Sequence, residues 1–154
     1  MPRAELTDRL GYLLKHAQQR LMEFTSAALA PYGLSGRQLA VLLVLDALGP
    51  TSQQDAARRL GVDRTTMVAL IDALEAKGVV VRCPFAEDRR RNVVQFTESG
   101  RVLFDEALAA SDAAEREFLG SMGEADAERF RAQLRTLIGV DAEADAAPDA
   151  DAES

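Results

Sequence analysis

The segment QQDAARRLGVDRTTMVALIDAL (53–74) constrains the fold of this chain more than any other stretch. Ser52, with Asp55 three residues on, starts a short helix over 53–60. Gly61-Val62 make a turn, and Asp63 caps a second helix over 64–77 that Gly78 closes in a left-handed conformation. Helices joined by so short a turn cross closely. The crossing needs a small residue and the turn a residue that tolerates a bent backbone, and Ala57 and Gly61 supply them. Leu60 and Val62 anchor the turn, while Met67, Leu70, Ile71 and Leu74 form an inward stripe at helical spacing. Arg64, Thr65 and Thr66 remain on the outer first turn of the second helix. A helix entering a major groove presents its reading side chains there: arginine pairs bidentately with guanine, and threonine bonds a phosphate or meets a thymine methyl. A plain helical hairpin with a basic surface fits the same pattern, so the pair alone does not decide between the two.

The next residues discriminate. Val79-Val80-Val81 is β-branched and reads as a strand, a polar tip spans 84–92, and Val93, Val94 and Phe96 form the return strand. Such a ribbon, with Arg89, Arg90 and Arg91 at its tip, can lie along a DNA backbone and place an arginine in the minor groove. Asp88 could brace one of those arginines by a charge-assisted bond. By itself the tip also fits a solvated charged turn; directly after the helix pair it favours DNA.

Around this centre the chain is helical. Leu6, Leu10, Leu13, Leu14, Ala17, Leu21, Phe24 and Ala28 predict one helix over 4–30, ended by Pro31 and Gly33. At about 1.5 Å per residue it would be about 40 Å long, so part of it is expected to pack on another subunit. Ser35-Gly36-Arg37-Gln38 is a capping box opening a helix that runs to Leu48, where Gly49-Pro50 stop it. Thr97 caps a helix over about 98–120, and a capping box from Ser121 to Glu124 opens the last, over about 124–138. The fold class is mainly α with a small β-wing: a winged helix-turn-helix beside a helical platform.

Charge needs its distribution to be informative. A net charge of −7 argues against a nucleic-acid partner, yet 141–154 holds six acids and no base, and without them the charge is −1. The window 53–101 has nine Arg or Lys against seven Asp or Glu. The tail is Ala/Asp-rich and is expected to be disordered. One cysteine and one histidine leave no disulfide framework and no zinc-ligand spacing, and no phosphate loop or nucleophile elbow is present, so neither a metal, a cofactor nor an enzyme is expected. The N-terminus lacks a leader's apolar block and no run spans a bilayer, which predicts a soluble, cytoplasmic protein with no membrane partner.

In EDRRRNVVQFTESG (87–100), following LGVDRTTMVALIDALEAKGVV (60–80), the chain resembles the MarR-type (multiple antibiotic resistance) winged-helix regulators over roughly 8–138. The family pattern of Asp-x-Arg, alternating strand residues and Leu-Thr-x-x-Gly is met by Asp88, Arg90, Val94, Thr97 and Gly100, with Phe96 in place of the usual leucine. Ala69 stands where relatives often carry a base-contacting polar residue. The resemblance implies a homodimer in which helices over about 4–30 and 98–138 interlock and a DNA-binding lobe over about 35–100 reads a pseudo-palindromic double-stranded operator. Arg90 would be the minor-groove arginine with Asp88 as its brace, and Ser52, Gln53 and Gln54 would be phosphate contacts. Family members are often released from DNA by small phenolic or aromatic acids; Tyr12, His16, Arg20, Tyr32 and Arg37 are the candidate lining here. His16 also fits a hydrogen bond across the dimer or a plain surface position. Cys83, beside Arg82, fits either an oxidant-sensing thiol or an ordinary strand residue. Two rivals to a ligand-responsive repressor stay open: an architectural or anti-silencing DNA binder without an effector, and a protein-interaction module that never meets DNA.

Overall fold

The computed structural model describes residues 5–140; the acidic tail 141–154 lies outside them. Six α-helices and one two-stranded sheet follow in the order α1 (Leu10–Leu29), α2 (Gly36–Leu48), α3 (Gln53–Leu60), α4 (Arg64–Ala76), β1 (Val80–Pro84), β2 (Asn92–Phe96), α5 (Glu98–Phe118) and α6 (Glu124–Ile138). Among the described residues no single helix is long and apolar enough to cross a membrane.

The first helix is shorter than its apolar spacing predicts. A 3₁₀ turn at Leu6–Asp8 precedes it, and Arg9 between the two is extended. Pro31, which has no N–H to bond back into the helix, sits in a further 3₁₀ turn at Ala30–Tyr32 that ends with Gly33 at φ 65°. Ser35 and Gln38 form the expected reciprocal capping box.

One compact unit runs to Glu115 and a second begins at Arg116. In the first, Leu29, Val41, Leu42, Met67, Ile71, Leu74, Val80, Val94 and Phe104 are wholly or almost wholly buried and share one core. Ala56 and Ala57 are buried, giving α3 the small face that lets a neighbouring helix approach. Strand β1 pairs antiparallel with β2, from Val80 opposite Phe96 to Pro84 opposite Asn92. The ribbon therefore lies further along the chain than the valine run suggested, starting at Val80 and reaching Pro84. Val79 instead accepts the Thr97 N–H at 3.0 Å. Thr51 adds a short third rung: its N–H and C=O bond the C=O and N–H of Val94 at 3.1 and 2.8 Å.

The second unit holds the last residues of α5, a 3₁₀ turn at Gly120–Met122, and α6. That turn corrects the expected capping box. Gly123 occupies the position before α6 at φ 78°, and no side chain caps the helix. Ser121 is inside the 3₁₀ turn, too far back to reach the first helical N–H groups. No residue of α6 is buried, and Leu137 and Ile138 are 67% and 70% exposed.

Candidate nucleic-acid interface

Helices α3 and α4 meet through Gly61, which holds φ 66°, and each begins on the side-chain cap read from the sequence. Ser52 Oγ accepts the Asp55 N–H at 3.1 Å and donates to Asp55 Oδ2 at 2.8 Å. Asp63 Oδ1 accepts the Thr66 N–H at 2.8 Å, and Thr66 Oγ1 donates to Asp63 Oδ2 at 2.7 Å. The hydroxyl protons of Ser52 and Thr66 are thus used within the caps, and toward a phosphate these side chains are left as acceptors. Arg64 and Thr65 are exposed on the first turn of α4.

The Thr66 N–H, then the Thr66 hydroxyl, hold the Asp63 carboxyl below the ordinary aspartate range. A depressed folded value means that the cap contributes fully above that range and is lost as pH falls through the folded value. Exchange of the Thr66 amide should therefore accelerate in acid, and Asp63→Asn should remove that dependence while keeping a cap. An NMR titration placing Asp63 at or above about 3.9, the ordinary value, would contradict this.

The ribbon is joined to both helices at one side chain. Arg82 donates from its Nη atoms to Asp72 (2.6 Å) and Glu75 (2.9 Å) on α4, and from Nε to Gln53 Oε1 on α3 (2.8 Å). Its own N–H bonds Glu75 Oε2 at 2.9 Å. Sequence reasoning missed this hub, because nothing in VVVRCP distinguishes an arginine bonded to residues 7 to 29 positions away from one that faces solvent. Cys83 is half-buried and pairs with Val93 in the ribbon, and its side chain alternates to the face opposite Arg82.

Between the hub and the first turn of α4 lies a groove of about 470 Å³, lined by Gln53, Gln54, Ala57, Arg64, Arg82, Asn92, Val93 and Val94. Three residues singled out from the sequence, Gln53, Gln54 and Arg64, meet here; Arg82 and Asn92 join them unforeseen. At the wing tip, Asp88 departs from the expected brace. Its carboxylate accepts the backbone N–H of Arg90 at 3.1 Å, and its C=O accepts that of Arg91 at 3.0 Å. A two-residue span favours the near backbone over a guanidinium, so Asp88 shapes the loop and leaves the arginine head free. Arg64, Arg89, Arg90 and Arg91 have no ion-pair partner among the described residues, whereas Arg58, Arg82 and Arg101 do.

The residues proposed for an effector are dispersed. Tyr12 and His16 are in tilted ring contact on α1, 4.1 Å between centroids with the planes at 45°, and Arg20 one turn further lies over Phe24. Tyr32 is half-buried against the core of the first unit. Arg37 lines a different cleft of about 370 Å³ beside the helix-turn-helix turn, with Leu60, Gly61, Val62, Asp63, Thr66 and Leu70 among its walls. None of the other four lines that cleft.

The MarR family model matches residues 32–91, the stretch from the end of the 3₁₀ turn through the wing tip. A solved structure of the transcriptional repressor CouR bound to a 23-mer DNA duplex is 33% identical, with a TM-score of 0.81 over 90% of this chain and 98% of that one. The chain belongs to the MarR family. CouR, described from Rhodococcus jostii, has also been solved bound to p-coumaroyl-CoA, at 32% identity and a TM-score of 0.78 over 90% of this chain and 97% of that one. The HTH-type transcriptional repressor NicR of Pseudomonas putida is 28% identical over 137 residues, 89% of this chain and 87% of its own length. An HTH-type transcriptional repressor of Mycobacterium tuberculosis is 30% identical over 128 residues, 83% of this chain and 92% of its own length. These MarR relatives are transcriptional regulators rather than enzymes, and the Thr97-x-x-Gly100 signature has a visible role in this member. Thr97 Oγ1 accepts the Gly100 N–H at 2.9 Å and donates to the C=O of Gly78 at 2.5 Å, seating the start of α5 on the exit from α4.

Proposed function

We propose that this MarR-family regulator is a homodimeric repressor that binds a pseudo-palindromic DNA site and is released by an aromatic acid or its thioester. The observation that carries the DNA-binding surface is the groove at Gln53, Gln54 and Arg64 beside a wing whose three tip arginines have no ion-pair partner among the described residues. Uncompensated guanidinium groups flanking a concave surface are what phosphate and groove contacts require. The dimer is supported by the exposed apolar positions on α1 and α6, among them Leu10, Leu13, Leu14, Leu137 and Ile138. The effector class is supported by the ligand bound to CouR and by the paired aromatic rings of Tyr12 and His16 on the exposed side of α1.

Binding to duplexes selected from sheared genomic DNA tests the reading. Arg90→Ala should lower the slope of log K against log salt by about 1 for each wing that contacts DNA. An unchanged slope would remove Arg90 from the interface. Release of the bound duplex by p-coumaroyl-CoA or a free phenolic acid supports the effector. Retention across a panel of such compounds favours an architectural binder acting by occupancy.

A further inference from the structure

We infer that Arg82 is a positioning residue for DNA binding, acting through Gln53 rather than on DNA itself. The assignment rests on the DNA-binding reading of the groove. Arg82 lines that groove, and an arginine there would ordinarily be read as a phosphate contact. Three of its five N–H donors, at least one on each nitrogen, are engaged: two carboxylates, Asp72 at 2.6 Å and Glu75 at 2.9 Å, meet its Nη atoms, and Gln53 Oε1 takes its Nε–H at 2.8 Å. Two anions around one cation leave no positive charge to offer a phosphate. The bond to Gln53 has a directional result. An amide whose oxygen is held by a fixed guanidinium presents its NH₂ on the opposite side, as a donor only. Gln53 is the first residue of α3, where backbone N–H groups also point outward, so the NH₂ joins a set of donors suited to one phosphate oxygen. The same guanidinium, with the Arg82 backbone N–H, ties β1 to α4, and the Thr51–Val94 rung ties β2 to the residues just before α3, so the donor is held in register with wing and α4 alike.

The test is a mutant cycle on the full chain, by fluorescence anisotropy with the tightest duplex selected from sheared genomic DNA. Thermal melts confirm that each variant is folded at the assay temperature. Gln53→Ala should weaken binding about tenfold, as expected for a lost bond to a charged acceptor. Arg82→Met should weaken it at least as much and leave the salt slope unchanged. In the Arg82→Met background Gln53→Ala should cost nothing further. Arg82→Lys should not restore binding, since an ammonium lacks the planar fork that meets three partners at once. A fall in slope of about 1 on Arg82→Met would show Arg82 on a phosphate and overturn the assignment. An undiminished Gln53→Ala penalty in the Arg82→Met background, or none in the wild type, would overturn it too. All of these leave the DNA-binding reading standing, whereas failure of the wild type to retain any duplex would remove both.

Discussion

Gly100→Ala is expected to destabilise the protein by about 3 kcal/mol, lowering its melting temperature by about 6–12 °C for a chain of this size. A Cβ at Gly100 would stand 1.8 Å from the carbonyl oxygen of Val79 and 2.6 Å from its carbonyl carbon. Both are backbone atoms, so no rotamer change relieves the overlap. The Val79 carbonyl is itself fixed, because it accepts the N–H of Thr97 at 3.0 Å. The start of α5 would have to lift off Val79, the residue just before β1, parting Thr97 from Gly78 and Gly100 and loosening Val79 and Val80 from the core. Ser99→Ala, one residue earlier and exposed, loses only a 3.3 Å contact with the Thr97 hydroxyl and, as the control, should melt within about 2 °C of the wild type. A Gly100→Ala melt within about 2 °C of wild type would mean that this packing is not rigid.

The paired substitution Leu137→Asp/Ile138→Asp is expected to turn the proposed dimer into a monomer and to weaken its binding to a two-half-site duplex by about a hundredfold or more. Both side chains are mostly exposed in the single chain, so charging them should leave its fold and melting behaviour nearly unchanged. Buried between two copies, each would contribute about 1.5–3 kcal/mol, and four charges introduced into one such seam would separate it. Sedimentation gives the oligomeric state and anisotropy gives the affinity. A variant that remains dimeric and binds normally would place the subunit contact elsewhere than the end of α6.

The positions of helices and caps in the central segment were legible because each rests on local rules. Ser35, Ser52, Asp63 and Thr97 each cap a helix through a bond spanning three residues, and Gly61 marks the turn by its φ requirement. The reading failed where local signals compete. Ser121 has the residue type of a cap, yet the chain tightens into a 3₁₀ turn around it and Gly123 takes the capping position. The apolar spacing through Leu6 and Leu10 continues across Arg9, although the backbone there is extended. In the candidate site, Arg64 and the two glutamines could be named because they sit at helix starts. Arg82 could not, since its partners Asp72, Glu75 and Gln53 come together only when the ribbon folds back over α3 and α4. The long-range pairing of Lys77 Nζ with Gln38 Oε1 at 3.1 Å was hidden for the same reason.

The hydrogen bond from the Phe85 N–H to the Arg91 C=O, at 2.7 Å, closes the wing tip into a loop whose inner residues are all exposed. Among the described residues, the hydrogen bonds and ion pairs that fasten the wing to the body lie on the strand side of that closure. Residues 86–90 are therefore a cassette: another loop of the same length, ending on the same two residues, could be grafted there without retuning the core. If the tip contacts DNA as proposed, any duplex preference it confers could then be exchanged between regulators as a module, separately from what α4 recognises.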